Sequence, residues 1–158
     1  MPAAKHTATQ RRADNALIKR ALRVLEDRLE YPRAILASPA AVRDYLRLSM
    51  ADLEHEIFVA LWLDAQNRLI EREDLFRGTL TQAAVYPREI VKRALAANAA
   101  AVIFAHNHPS GMQEPSAADQ LLTKTLEQAL ALVDVRVIDH FIVGGVKSPF
   151  SFAEKGML

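Results

Sequence analysis

The 158-residue chain contains no cysteine. Disulfide bonds and metal sites built on thiolates are therefore excluded, and a reducing cytosol suits this composition. The zinc site of the nucleobase deaminases is excluded as well, because it needs a Pro-Cys-x-x-Cys element. The chain also lacks any apolar run of about 18 residues that could span a membrane, and its N-terminus lacks the apolar core of a signal peptide. We expect a cytoplasmic protein that does not enter the membrane.

The net charge is only +1, but the charges are unevenly distributed. Residues 1–33 contain eight Lys or Arg and four acidic residues, a net charge of +4 that leaves −3 for the remainder. One interpretation is weak association with DNA through this basic helical segment. The favoured interpretation is a solvated helix face, because the basic residues accompany an apolar side. The basic residues are Lys19, Arg20, Arg23 and Arg28, and the apolar side consists of Ile18, Leu22, Leu25 and Leu29.

Proline and serine mark the boundaries of two leading helices. Residues 1–10 are predicted to be a loose tail. The first helix is predicted to end at Tyr31-Pro32, and the second to begin with Ser38 at the N-cap and Pro39 in the first turn. We assign residues 1–52 to this tail and helical lead, and residues 53–158 to one α/β domain.

Apolar periodicity predicts an α/β domain with a mixed sheet covered by helices, in the order β-β-α-β-α-β. Residues 56–63 are too continuously apolar for a one-sided strand, and they predict a central strand buried on both faces. Residues 68–76 predict a more exposed strand after a turn. Residues 135–143 alternate so that Ile138 and His140 share one side, but which side faces the core stays open. His140 is either a support behind a functional site or, as we favour, a structural histidine.

Residues 106–119 concentrate the chemistry, between an apolar run and a long helical pattern. One residue separates His106 from His108, so their side chains point the same way if strand geometry persists. Pro109 favours an extended conformation for His108. Asp119 lies in the first turn of the next helix, from which it could turn back toward the histidines. Two imidazole nitrogens and one carboxylate oxygen form a suitable zinc set at about 2.0–2.2 Å each, with the fourth tetrahedral position left for water.

Simpler interpretations apply to each half of this pattern. A His-x-His pair alone is a weak indicator of metal binding. The spacing Ser116-x-x-Asp119 is typical of a capping box, with serine at the N-cap and an acid at N3. The capping and metal-binding interpretations are compatible, because a capped helix is a rigid support that would aim Asp119.

The spacing of these residues resembles that of a known family. His106-x-His108-Pro109, six residues, and Ser116-x-x-Asp119 are similar to the JAMM signature of MPN-domain metalloproteases. The run HNHPSG, followed by EPS, is similar to the RadC branch. The resemblance extends from about Glu56 to the C-terminus. It implies the MPN (JAMM) fold for the domain at residues 53–158, a mixed β-sheet covered by helices and related to deaminase-like architecture.

The same resemblance implies zinc-dependent hydrolysis of an amide bond in a peptide or protein substrate. His106, His108 and Asp119 would bind Zn²⁺, whose bound water ionises near about pH 7. The family pattern also needs a glutamate at the head of a buried strand as the general base. Glu56 occupies that position, and Glu54 is the rival. Ser116 would donate a hydrogen bond to the developing oxyanion.

A second hypothesis is a non-catalytic interaction module in DNA repair or mobile-element DNA transactions. The complete ligand set argues against a vestigial site. Longer RadC members carry helix-hairpin-helix segments in front of this domain, whereas the present chain has only two short helices there. The resemblance therefore favours the metallopeptidase-type hydrolase over a DNA-linked role.

Overall fold

The computed structural model describes residues 7–30, 39–78 and 85–158. Two helices lead, α1 (Ala8–Glu30) and α2 (Pro39–Met50). They are followed by β1 (Ile57–Leu63), β2 (Leu69–Arg77), α3 (Pro87–Ala96), β3 (Ala101–Asn107), α4 (Ala117–Ala131), β4 (Arg136–Val143) and β5 (Phe150–Ser151). The predicted order is confirmed, and β5 extends it by a short strand. Within the described ranges, no helix combines the length and the apolar character needed to cross a membrane.

The five strands form one mixed sheet in the order β2-β1-β3-β4-β5. β1 pairs antiparallel with β2 and β3, β3 pairs parallel with β4, and β4 pairs antiparallel with β5. α4 supplies the crossover between β3 and β4, because parallel neighbours cannot be joined by a hairpin. The loop between β3 and α4 consequently lies at the carboxyl edge of the two parallel strands, which is where residues 108–116 are found.

Helices cover both faces of the sheet. One apolar cluster joins α2 to the sheet, with Leu46 and Met50 fully buried. The other joins α3 and α4 to the opposite face, with Ala94, Leu126 and Phe104 fully buried. β1 and β3 are buried along their whole lengths, as the apolar run at residues 56–63 predicts for β1. Since full burial of one large apolar side chain is worth about 1.5–3 kcal/mol, these two clusters are the main source of stability.

The prediction of a loose tail over residues 1–10 is wrong for its last three residues. α1 begins at Ala8, and the Thr7 hydroxyl accepts a hydrogen bond from the Gln10 amide at 3.2 Å. This is the contact of an N-cap side chain, and it explains why the helix starts early. Pro39 is the first residue of α2, as predicted. The rest of the predicted tail, the boundary at Tyr31-Pro32 and the N-cap at Ser38 lie outside the described residues.

The alternation predicted along β4 is also wrong. The ladder between β3 and β4 skips Ile138, which is the extra residue of a β-bulge. Because a bulge shifts the alternation by one, Ile138 and His140 lie on opposite faces. Ile138 packs on the α2 side of the sheet, whereas the His140 ring meets Phe58 and Phe104 on the α4 side.

Candidate metal centre

His106 and His108 lie at the end of the central strand. His106 is the penultimate residue of β3, and its Nε2 atom is 2.9 Å from Nε2 of His108. Nδ1 of His108 is 2.9 Å from the main-chain carbonyl of Met112. A carbonyl only accepts hydrogen bonds, so this Nδ1 carries a proton. A neutral His108 therefore presents the lone pair of Nε2 toward His106.

Asp119 reaches the two histidines from the first turn of α4. Its carboxylate oxygens lie 3.3 Å from Nε2 of His106 and 3.5 Å from Nε2 of His108. The Asp119 amide donates to the Ser116 hydroxyl at 3.1 Å, and the Ser116 amide donates to the Asp119 carboxylate at 2.8 Å. The predicted capping box is therefore confirmed. It fixes the carboxylate at the helix start, where it faces the histidines.

The three side chains bring one ligand atom each to within 4.8 Å of one another. His106 is 1% exposed and Asp119 is 6% exposed. A carboxylate that faces imidazole lone pairs in so little water is unfavourable unless a cation lies between them. Two imidazoles and one carboxylate are a ligand set of catalytic zinc sites, whereas magnesium and calcium prefer oxygen ligands alone. The residues present therefore fit a zinc ion.

The same contacts favour a proton on His108 when no metal ion is bound. Hydrogen bonding to Asp119 raises the pKa of His108 above its ordinary value of 6.5. Burial opposes this shift but is the weaker effect, and the Met112 carbonyl adds to the increase. Burial opposes ionisation of Asp119, but its contacts with the His106 and His108 rings outweigh burial and hold the pKa of this carboxyl well below its ordinary value of 3.8. A metal ion would therefore compete with a proton for His108.

Glu56 lies directly before β1, at the same end of the sheet. Its negative charge is the smallest contribution to the raised pKa of His108, and the register that sets Phe58 opposite His106 places Glu56 beside the start of the loop at His108. The rival Glu54 is exposed to solvent. The structure therefore brings Glu56 near the candidate ligands, and its role as general base stays a prediction.

The side chain of Asn107 ties Glu56 to the strand that carries the histidines. Asn107 is buried, its Oδ1 accepts from the Ile57 amide at 2.8 Å, and its Nδ2 donates to the His55 carbonyl at 3.0 Å. The backbone pairing of β1 with β3 ends at Phe58 and His106. The side-chain amide of Asn107 continues this pairing by one residue, in place of a peptide group. The Glu56 carbonyl accepts from the Gly78 amide at 2.9 Å. The backbone around Glu56 is thus fixed from both sides.

His140 lies behind His106, away from the ligand group. Nδ1 of His106 is 2.8 Å from Nε2 of His140, and Nδ1 of His140 is 2.6 Å from the Thr123 hydroxyl. The side chain is fully buried, and this burial lowers the pKa of His140 well below its ordinary value. Both ring nitrogens are engaged, so His140 supports His106 and offers no ligand atom. The structure thus places His140 in contact with the site, the alternative that the sequence disfavoured.

The loop at residues 108–116 packs against the segment that follows β4. The Gln113 side chain donates to the Ser148 carbonyl at 2.6 Å. A Cβ atom at Gly144 would clash with Gln113 Cγ and come within 2.7 Å of the Gly111 carbonyl oxygen. Glycine at position 144 therefore allows the loop that follows His108 to pack this closely.

Comparison with protein families agrees with this geometry. A family profile described as a RadC-like JAB domain matches residues 36–157. The chain belongs to this family. The resemblance to the RadC branch is thereby confirmed, together with the mixed α/β fold of the JAB/MPN domains. The division of the chain after residue 52 stays a prediction.

Relatives of this RadC-like JAB domain are similar along most of the chain. The UPF0758 protein of Dechloromonas aromatica is 64% identical over 126 residues, which is 80% of this chain and 56% of that protein. The UPF0758 protein of Thiobacillus denitrificans is 62% identical over 143 residues, which is 90% of this chain and 63% of that protein. The chain thus spans 56% to 63% of the length of these relatives. Their names state no activity.

Two residues of the site, Asn107 and Thr123, were not predicted from the sequence. Asn107 is a polar residue at the end of a buried apolar strand, and buried polar groups are nearly always hydrogen-bonded. That signal could have identified it as a structural anchor. Thr123 follows Asp119 by four residues, which places both on one face of α4. This spacing alone could not have distinguished it from an ordinary helix residue.

Proposed function

We propose that the chain is a zinc-dependent hydrolase that cleaves a peptide or isopeptide bond in a peptide or protein substrate. The observation that carries this proposal is the meeting of His106, His108 and Asp119, whose ligand atoms lie within 4.8 Å of one another. Three protein ligands leave one tetrahedral position for water, which is the arrangement of catalytic rather than structural zinc sites. Membership of the RadC-like JAB family agrees with this chemistry.

Glu56 would move protons during the reaction. A bound zinc ion supplies Lewis acidity, which brings the pKa of water down to about 7 and polarises a carbonyl. Glu56 would accept the proton of the attacking water and later deliver it to the leaving amine. Two observations support this role: the pairing of Phe58 with His106 places Glu56 at the end of the sheet that carries the histidines, and the peptide groups that flank Glu56 are held by Asn107.

Ser116 would stabilise the negative charge that develops on the substrate carbonyl. Its oxygen accepts from the Asp119 amide through a lone pair, and a hydroxyl can donate at the same time. Ser116 is exposed, so a substrate can reach it. Loss of one such donor in comparable sites costs about 3–4 kcal/mol of transition-state stabilisation.

Glu56→Gln tests the hydrolase directly. Glutamine has nearly the shape of glutamate but cannot transfer a proton, so we expect zinc content and fold to be kept while cleavage falls by about 10²–10⁴-fold. Cleavage of a synthetic peptide library by the zinc-loaded protein, followed by mass spectrometry, measures the rate. Glu54→Gln is the matched control, because this exposed neighbour should leave the rate unchanged.

Two results would contradict the proposal. Cleavage by Glu56→Gln at the parent rate would remove Glu56 from the mechanism. Release of the metal by the same variant would make Glu56 a fourth ligand, and the site would then be closed and structural.

A second candidate function is weak association with DNA through α1. The observation that supports it is the solvent exposure of five basic side chains on this helix, namely Arg11, Arg12, Lys19, Arg20 and Arg23. Such contacts are made to phosphates, so binding to a duplex oligonucleotide should weaken steeply as salt is raised. Fluorescence anisotropy measures this binding. We expect Arg11→Glu with Arg12→Glu to abolish it and Lys92→Glu on α3 to leave it intact; equal binding by all variants would contradict the proposal.

A further inference from the structure

A chain of hydrogen bonds runs from His106 into the core. Nδ1 of His106 is 2.8 Å from Nε2 of His140, whose Nδ1 is 2.6 Å from Oγ1 of Thr123. The Thr123 hydroxyl donates to the main-chain carbonyl of Asp119 at 2.7 Å. The chain therefore begins at the side chain of one candidate ligand and ends at the backbone of another.

The far end of this chain fixes the position of every proton in it. A carbonyl oxygen only accepts, so the single hydroxyl proton of Thr123 points to Asp119. The Thr123 oxygen then offers only lone pairs to His140, whose Nδ1 must carry a proton and donate it. Nε2 of a neutral His140 is consequently an acceptor, and Nδ1 of His106 must be the donor.

The surroundings of His140 favour its neutral form. Its ring is fully buried and stacks on Phe152 with the ring centroids 4.8 Å apart. Phe58 and Phe104 approach it in edge contacts at 5.4 and 6.3 Å between centroids. Three phenylalanine rings provide no counter-charge for a cation, and an uncompensated buried charge is costly.

We propose that Thr123 and His140 are positioning residues that hold His106 in the tautomer with its proton on Nδ1. The inference rests on the proposed metal site and deepens it, because the remaining lone pair on Nε2 is then aimed at His108 and Asp119. The hydrogen bond at one ring nitrogen decides which tautomer is present. The Asp119 carboxylate lies 3.3 Å from Nε2 of His106 and would favour the proton on Nε2. The hydrogen bonds through His140 favour it on Nδ1.

A purely structural role for Thr123 makes a different prediction. Thr123 and His140 would then only fill space, and any side chain of similar volume would serve. The proposed role needs the Thr123 hydroxyl itself, because this hydroxyl orients the protons of the chain. Zinc affinity and the tautomer of His106 therefore distinguish the two roles, since packing alone moves neither.

The test compares Thr123→Val with Thr123→Ser. Valine keeps the shape and removes the hydroxyl, so zinc affinity measured against a chelator should fall by about 10–100-fold, the usual effect of losing a partner behind a ligand. Serine keeps the hydroxyl and should bind zinc like the parent. Thr125→Val is the matched control, because the Thr125 hydroxyl makes the same bond to a carbonyl four residues back, at 2.8 Å to Leu121, without touching a histidine.

Imidazole nitrogen chemical shifts give a second measurement that needs neither zinc nor a substrate. In the metal-free parent and in Thr123→Ser, we expect the proton of His106 on Nδ1. In Thr123→Val we expect it to move, at least in part, to Nε2. A parent protein with this proton on Nε2 would overturn the proposal without any variant. Parent-like zinc affinity in Thr123→Val, or an equal loss in Thr123→Ser, would also overturn it. None of these measurements depends on hydrolysis, so failure of the proposed function is seen separately.

Discussion

His106 and His108 supply two of the three candidate ligand atoms, so zinc content should depend on both. We expect the parent to bind about one zinc ion per chain and His106→Ala and His108→Ala to lose it. Metal analysis of the purified proteins measures the ratio. His55→Ala is the control, because the His55 ring lies outside the ligand group and accepts a hydrogen bond from Arg77 at 2.7 Å. Full zinc occupancy in the double histidine variant would show that the ligands lie elsewhere.

Asn107 is a second residue on which the site depends, although it offers no ligand atom. Asn107→Ala leaves the buried amide of Ile57 and the carbonyl of His55 without their partner, and each such group costs about 1–3 kcal/mol. We expect a lower free energy of unfolding and faster hydrogen exchange at the Ile57 amide.

Asn107→Asp separates the two halves of this contact. It keeps the acceptor for Ile57 but sets an oxygen against the His55 carbonyl, so it too should destabilise the fold. Urea unfolding measures both variants. Parent-like stability in either one would mean that the backbone before β1 is held by other contacts.

At the scale of elements, the start of α4 combines a helix cap with a proposed catalytic donor, and substitutions of Ser116 separate the two. Ser116→Ala loses the cap and should lower the free energy of unfolding by about 1 kcal/mol, whereas Ser116→Gly should cost only a few tenths. Both variants lack the hydroxyl and should lose hydrolysis equally. Thermal unfolding and peptide cleavage measure the two effects. A glycine variant as active as the parent would leave Ser116 with its capping role alone.

The elements were predictable where periodicity decides them. β1 and the order of strands and helices follow from apolar runs, and the capping box follows from the spacing of Ser116 and Asp119. The facing of His140 was not predictable, because the bulge at Ile138 arises from the pairing of β3 with β4 and leaves no pattern in the strand itself. The contacts of Asn107 and Thr123 could not be predicted for a similar reason, because they join side chains to groups that only the fold brings near.

For the whole molecule, the site makes the stability of the metal-free chain depend on pH. The pKa of His108 is raised from 6.5, so its contribution is fully present below pH 6.5 and is lost as the pH rises through the raised value. The pKa of Asp119 is lowered from 3.8, so its contribution is present above pH 3.8 and is lost as the pH falls through the lowered value. The stabilisation from His108 and Asp119 together is therefore greatest between pH 3.8 and pH 6.5, the ordinary pKa values of the two groups.

Urea unfolding of the metal-free parent at about pH 5 and about pH 8 tests this dependence. His108→Gln should remove the loss of stability on the alkaline side. Subtracting its free energy of unfolding from that of the parent cancels the effect of titrations elsewhere in the chain. Zinc should invert the trend, because it binds the neutral histidines and its affinity falls as they are protonated. Parallel curves for the parent and His108→Gln would contradict the assignment.

The central position of β3 in the sheet means that the candidate ligands differ in how long each stays in place. β3 has a hydrogen-bonded neighbour on each side, so it has no edge from which to fray, and its amides should exchange with solvent only when the whole domain opens. Residues 108–116 form a loop, whose amides can exchange through local opening. His106 is then fixed for as long as the fold persists, and His108 is held beside it by the bond from its amide to the Val143 carbonyl, whereas the start of α4 can move apart from both. A bound metal ion would enter and leave through this loop, and its residence time would be set by the loop rather than by the sheet.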